Sequence, residues 1–548
     1  MPRSALVALM IWAAAGVIGC GDEHSATRGP EFVPGAVDVV PRPVQVEVDA
    51  AGGLFVFDDH TAVRYDDAAA RAAAELLDGV LRGPFPARTG PQEITRSQAP
   101  PNAVLLTTDG ADSGLGPDGY ALEVTSDRIR LLALTPAGFV HGVQTLRQLL
   151  PPEVEAGAPA PGVVWSVPNV RIRDWPRFGW RGLLIDTSRF FLPKDFLLRE
   201  LELLALYKLS VLHLHLTDDQ GWRLEIDAYP ALHERGSQWD AERAPDERGG
   251  YYTKDDMREI LARASALGIE VVPEIDMPGH SVAALHAMPE LACRTAPDVP
   301  RAAAEFPIIP WNQRPLSDAV LCVCDEHVYT VLQAVLDEVI ELFPSRFIHV
   351  GGDEVAQLRE WKSAYLCREL IAQGVVPSAD HLQAYFEKRI EDHLLARGRR
   401  MIAWDEALTT EQPDRPNERL SGDAAFMFWR DLMPALDRLY DRDVIAVPYS
   451  RLYFDYPTAI ERGYQFDPAP GDLNSEQAAH VLGAQAAMWT GFPDGRSEQH
   501  VEAHIFPRLL ALAEVAWSPQ ELRDFGDFER RLGVQQRRLE ALGVALGP

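Results

Sequence analysis

From Trp180 to about residue 517 the chain repeats one unit: a short, almost wholly apolar run, then a longer segment whose apolar residues recur every three or four positions. The apolar runs are Gly182–Ile185, Val211–Leu216, Glu270–Pro273, Phe347–Val350, Met401–Trp404, Ala425–Phe428, Val444–Val447 and Gly483–Met488. Helical patterns lie between them, for instance at Lys194–Tyr207, Thr253–Leu267, Asp325–Leu342, Ala379–Ala396 and Glu498–Ala516. Runs without polar alternation are strands buried on both faces, as in a parallel sheet covered by helices. Eight strand–helix turns predict an α/β chain built on a (β/α)8 TIM barrel. An open doubly wound sheet is the alternative, but no glycine-rich phosphate turn comes after a first strand.

Residues 37–168 read differently. Short β-rich runs (Val37–Val40, Val44–Val48, Val104–Thr107, Tyr120–Val124, Ile129–Leu134) are mixed with helical ones (Ala68–Leu81, Gly138–Leu150), which predicts a smaller α+β accessory domain. Pro151 to Pro168, rich in Pro, Gly and Ala, reads as its exit linker, the barrel as 169–517, and 518–548 as a C-terminal helical segment.

The first residues are a processing signal. Arg3 precedes the apolar run Ala5 to Ile18, which is too short to span a bilayer. The run ends Val17-Ile18-Gly19-Cys20 and resembles a bacterial lipobox, implying a signal at 1–19, lipid on Cys20 and a tether over 20–36. The expected location is the cell envelope, and Gly21 in place of Asp favours the outer membrane. Plain export to the periplasm with a free Cys20 is the alternative. Four cysteines remain. In an oxidising compartment Cys293 pairs with Cys322 or with its rival Cys324. Cys322-x-Cys324 is too tight for a zinc knuckle. Acidic residues number 81 against 52 basic, a net charge of −29, with no Arg-rich run, so a nucleic-acid partner is excluded.

Function in a barrel gathers where strands end. After the eight runs come Asp186 and Arg189; Asp218-Asp219; Glu274, Asp276 and His280; Gly351-Gly352-Asp353-Glu354; Asp405-Glu406; Trp429-Arg430; Tyr453 and Asp455; and Trp489. Carboxylates, a histidine and indole rings on one rim are what a carbohydrate site needs: rings to stack on the sugar, acids to hold hydroxyls and to protonate a leaving oxygen.

Phe347-Ile348-His349-Val350-Gly351-Gly352-Asp353-Glu354 resembles the signature of glycoside hydrolase family 20, the β-N-acetylhexosaminidases. Trp180-Arg181-Gly182, His213 to Arg223, Pro273 to His280, Trp404-Asp405-Glu406 and Phe506-Pro507-Arg508 match it too, and 37–168 resembles the family's accessory domain. The resemblance implies exo-hydrolysis of terminal N-acetyl-β-D-hexosamine from a glycan, with retention and without cofactor or metal. It implies Glu354 as general acid with a raised pKa, and Asp353 as the group that orients the substrate's 2-acetamido nucleophile. It also implies Arg181 and Asp455 on sugar hydroxyls, Trp404, Trp429 and Trp489 as walls, and Tyr453 on the acetamido oxygen. Asp218 with His280 forms a chain behind Glu354 or a structural ion pair at the rim. Asp405 and Glu406 read as structural.

Three positions depart from the family pattern. Trp489-Thr490-Gly491 stands where Trp-Ser-Glu is usual, which removes an expected contact with the far edge of the sugar; Glu498 or Asp494 are possible substitutes. Arg189-Phe190-Phe191 and Ser210 replace Arg-His-Phe and Asn. Two rival readings stay open: an anchored glycan-binding protein with weak turnover, and a metal-dependent hydrolase using His213 and His215.

Overall fold

The computed structural model describes residues 36–547 except 50, 96–99, 240–248, 311–318, 356–358, 410–419, 431–441, 472 and 492–496. The signal, Cys20, the tether to residue 35 and Asp494 therefore lie outside the described residues.

Eight parallel strands close into a barrel: β1 (Trp180–Asp186), β2 (Val211–His215), β3 (Glu270–Glu274), β4 (Phe347–His349), β5 (Arg400–Trp404), β6 (Ala425–Phe428), β7 (Asp443–Ala446) and β8 (Val481–Met488). Trp180 of β1 pairs with Gly483 of β8 and closes the ring. All seven residues of β1 are buried. The reason is two apolar layers. Leu184, Val211, Val272, Phe347, Ile402, Met427 and Ile445 fill the interior, whereas Leu183, Ile185, Leu212 and Leu214 pack outward under the helices.

The helical patterns hold with one exception. Lys194–Leu206, Lys254–Ala266, Glu326–Leu342 and Leu382–Ala396 are single helices. The run expected as Glu498–Ala516 is instead two helices, Glu498–Ile505 and Arg508–Trp517. Pro507 lacks an N–H and drives the preceding residue out of the helical region, and Phe506 is extended (φ −103°, ψ 138°).

The accessory domain is a seven-stranded sheet in the order Gln45–Val48, Val170–Asp174, Tyr120–Val124, Arg128–Ala133, Ala103–Thr107, Ala62–Tyr65, Gln92–Glu93. Helices Arg71–Arg82 and Pro136–Leu149 share its core. Two expectations are corrected. Val37–Val40 is not a strand; the Gln148 amide takes the backbone's place, accepting from Val40 N–H (2.9 Å) and donating to its carbonyl (2.8 Å). The stretch ending at Pro168 is no linker either. Ser166–Pro168 pairs with Leu54–Val56, and the sheet runs on to Asp174 because Val170–Asp174 supplies a strand between two others.

The two domains are joined by buried charge. Asp174 accepts from Tyr120, from Lys208 (2.8 Å) and from Trp517 (2.8 Å). The C-terminal helix Phe525–Ala541 straps across both units, with Arg531 on Glu514 and the Val39 carbonyl, and Arg538 on Glu155 and the Leu150 carbonyl. Cys293 is bonded to Cys322, and a second bridge, Cys324 to Cys367, removes Cys324 as the rival partner.

Candidate active site

The loop after β4 builds the centre of the site. On a strand, adjacent side chains face opposite ways, so Asp353 and Glu354 can converge only where the strand has ended. Gly351 (φ 71°) and Gly352 (φ 93°) make that turn in the left-handed region. A Cβ on Gly351 would lie 1.7 Å from a carboxylate oxygen of Asp276, so no side chain fits there. Glu354 itself sits at φ 51°, and its N–H donates to the Glu406 carboxylate, which locks the turn. Both acids meet one nitrogen: His280 Nε2 is 3.7 Å from Asp353 and 3.5 Å from Glu354. The other ring nitrogen is 3.3 Å from Asp218. The acids differ in exposure, 16% for the Asp353 side chain against 37% for Glu354, so Glu354 faces the mouth and Asp353 the interior.

The electrostatics arise from this packing. Burial pushes the Asp353 carboxyl up to about 7, only partly offset by His280. Glu354 goes the other way: the His280 ring nitrogen 3.5 Å away holds it below the usual carboxylate range. The expected upward shift of Glu354 is therefore absent in the free protein, because the imidazolium stabilises its anion. Burial opposes a charged His280, but Asp218 and then Asp353 outweigh it and hold its pKa well up. Asp218 is correspondingly acidic despite burial, through Arg189 and His280.

One expected sugar contact is overturned. Arg181 is the second residue of β1, at the end of the barrel opposite the rim. Its guanidinium is wholly buried, donating to the Lys208 and Phe178 carbonyls (2.8 Å each) and lying 5.0 Å over Trp517. Seven residues of strand rise ~20 Å, so Arg181 cannot reach the mouth. Arg189, just past the other end of β1, does: it is 2.5 Å from Asp218 and 4.7 Å over the Trp489 ring. Strand direction alone points to it, since the rim carries the residues just beyond each strand.

Four aromatic side chains of the rim lie together. Trp489 lies 6.0 Å from both Trp404 and Tyr453, and Tyr453 stacks on Trp429 at 6.3 Å. Trp404 is pinned by its indole N–H to Glu274 (2.9 Å). Trp429 Nε1, Asp353 Oδ1 and Asp455 Oδ1 are buried without a hydrogen-bond partner among the described residues, and burial raises Asp455 to about 7. Orphaned buried polar atoms are rare, and a cluster of them around one pocket marks where a polar ligand completes the bonding. Asp405 is held by Arg430 (2.8 Å), consistent with a structural role, whereas Glu406 has the added task of fixing the Glu354 backbone. At the departure from the family pattern, Thr490 is bonded through N–H and hydroxyl to Asp186 (3.0 and 3.1 Å), Gly491 is buried, and Glu498 is exposed at the start of its helix.

His213 and His215 both point into the barrel, but they do not form a ligand pair. Both nitrogens of His215 are taken by carboxylates, Glu274 (2.6 Å) and Asp218 (3.0 Å), while His213 Nδ1 faces the Gln485 amide (2.9 Å).

Adjacent acids bridged by a histidine, under an indole wall at the C-terminal mouth of a closed barrel, place the chain among glycoside hydrolases. Residues 178–520 match the model of the glycosyl hydrolase family 20 catalytic domain, and 36–175 match that family's domain 2, ending where the accessory sheet ends. A β-hexosaminidase of Porphyromonas gingivalis is 34% identical over 96% of this chain, which spans 66% of that relative's length. The solved GH20 β-N-acetylhexosaminidase of Streptomyces coelicolor A3(2) is 30% identical with a TM-score of 0.77, covering 93% of this chain and 97% of that one. The GH20 exo-β-N-acetylglucosaminidase of Vibrio harveyi, solved with N-acetylglucosamine, is 28% identical with a TM-score of 0.78, covering 94% of this chain and 79% of that one. The chain belongs to glycosyl hydrolase family 20.

Proposed function

We propose that the protein is an exo-acting β-N-acetylhexosaminidase, cleaving terminal non-reducing N-acetyl-β-D-hexosamine with retention by a substrate-assisted mechanism. The observation that carries this reading is the position of Asp353. It is deeper than Glu354, shares His280 Nε2 with it, and keeps one buried oxygen unpartnered among the described residues. Consecutive acids that share one histidine fit a division in which the outer one handles the proton and the deeper one steers the substrate's acetamido group, whose oxygen is then the nucleophile.

The reaction begins as the substrate's acetamido N–H donates to Asp353, which favours the ionised form of a carboxyl that burial otherwise keeps protonated near neutrality. The proton that Asp353 releases passes by way of His280 Nε2, which lies against both acids, to Glu354, and Glu354 gives it to the glycosidic oxygen as the acetamido oxygen closes on the anomeric carbon. Asp353 balances the cationic oxazolinium ring that forms. Glu354, now a carboxylate steadied by His280, takes a proton from water as water reopens the ring. Trp404, Trp429, Tyr453 and Trp489 enclose the acetamido group, Asp455 takes a sugar hydroxyl, and Arg189 assumes the hydroxyl contact first expected of Arg181.

The test is hydrolysis of an aryl N-acetyl-β-glucosaminide. Glu354→Gln should abolish it, Asp353→Asn should depress it on N-acetyl substrates, and a thiazoline mimic of the cyclic intermediate should inhibit. An active enzyme indifferent to the thiazoline overturns the substrate-assisted step; no hydrolysis at all supports the glycan-binding alternative. We also place the enzyme at the cell envelope through lipid on Cys20. Labelled palmitate should enter the wild type and not Cys20→Ala.

A further inference from the structure

The His-x-His pair of β2 is left over once the catalytic residues are assigned, and half of it joins the catalytic acids. The strand register sets Asp186, His215, Glu274 and His349 side by side across β1 to β4. From that layer a line of alternating charge runs to the mouth. Glu274 is 2.6 Å from His215 Nδ1, His215 Nε2 is 3.0 Å from Asp218, Asp218 is 3.3 Å from His280, and His280 is 3.5 Å from Glu354. His215 is buried, and the edge-on Trp489 ring, 5.0 Å away, covers it.

We propose that His215 is a positioning residue of the hydrolytic reaction, which as a doubly protonated imidazolium holds Asp218, and through it His280, in the arrangement that lets Glu354 exchange its proton. With carboxylates on both ring nitrogens, a neutral imidazole would leave one acceptor facing another acceptor in a dry interior. The protonated ring instead donates twice. Glu274 in turn accepts from Trp404, so the same line fixes an aromatic wall of the pocket. The titratable and charged groups around His215 are Glu274 on β3, Asp218 on its own strand's extension, His213 on its own strand, Arg189 beyond β1, and Asp276 beyond β3, whose carboxyl burial pushes well up. The two acids outweigh burial and Arg189, so the ring stays charged through the neutral range.

The inference rests on Glu354 being the proton donor, and Glu354→Gln tests that separately: if that variant stays active, the assignment of the acid fails whatever His215 does. His215→Gln and His215→Phe then test the positioning role, each scored as the pH profile of hydrolysis of an aryl N-acetyl-β-glucosaminide. Removing a buried positive charge raises every proton affinity around it. Both limbs of the profile should therefore move to higher pH, with kcat falling about 10- to 100-fold, the usual effect of losing an outer hydrogen-bond partner, and KM changing far less. The Gln variant, which keeps one donor, should retain more kcat than the Phe variant. A loss that matches the fall in inhibitor-titrated active protein, with both limbs unmoved, would mean a purely structural role and overturns the proposal. Should the Phe variant fail to fold, the Gln variant decides. Should both fail, wild-type enzyme labelled with 15N-histidine decides: a second histidine, besides His280, with both nitrogens protonated through the neutral range supports the proposal, and its absence refutes it.

Discussion

Replacing Asp353 with Asn should make the protein more stable while disabling it, and the gain should grow with pH. The carboxyl ordinarily titrates at 3.8, and in the folded protein burial moves it to about 7. Between those values the unfolded chain has released the proton and the folded protein has not, so wild-type stability falls as pH rises. Each pH unit removes about 1.4 kcal/mol, so the window of about three units amounts to ~4 kcal/mol at and above pH 7. At pH 5 only ~1.6 kcal/mol of it has developed. Asn has the same shape and does not ionise, so the Asp353→Asn advantage should widen by ~2–3 kcal/mol between pH 5 and pH 8. Urea unfolding followed by tryptophan fluorescence at the two pH values measures it, and the same preparations should show depressed turnover. An advantage that is equal at both pH values, or that shrinks toward pH 8, would refute burial as the dominant influence on Asp353.

The same geometry sets further expected outcomes. Arg181→Met should leave KM for an aryl glycoside within about twofold while lowering stability by ~2–4 kcal/mol, because it strips donors from buried carbonyls far from the mouth; Arg189→Met should instead cut kcat/KM by about 100-fold or more. Gly351→Ala should lower kcat about 100-fold in folded enzyme, since the new methyl must displace Asp276 or the turn that aims Glu354. Trp429→Phe should raise KM several-fold with little change in melting temperature, because the indole N–H it removes has no partner among the described residues. EDTA should leave activity unchanged, whereas loss of activity restored by a divalent cation would revive the reading of His213 as a ligand.

All eight barrel strands were legible in the sequence to within a few residues, because a strand buried on both faces is apolar over most of its length, with polar residues few and mostly near its ends. The acids, the histidine and the indoles at the strand ends were legible for a related reason: a barrel gathers the residues just beyond its strands onto one rim, where packing does not explain a carboxylate or a histidine. Val37–Val40 shows the limit, being apolar enough for a strand yet satisfied by the Gln148 side chain, a partner 108 positions away.

The chain order alone determined the list of strands, the rim they feed and the Gly-Gly-Asp-Glu turn, since these depend on local pattern. Only the folded molecule decided that Asp353 rather than Glu354 resists ionisation, and that both ring nitrogens of His215 face carboxylates. Those properties arise from burial and from charges brought together from three different strand ends, as many as 74 positions apart, and no local pattern carries them.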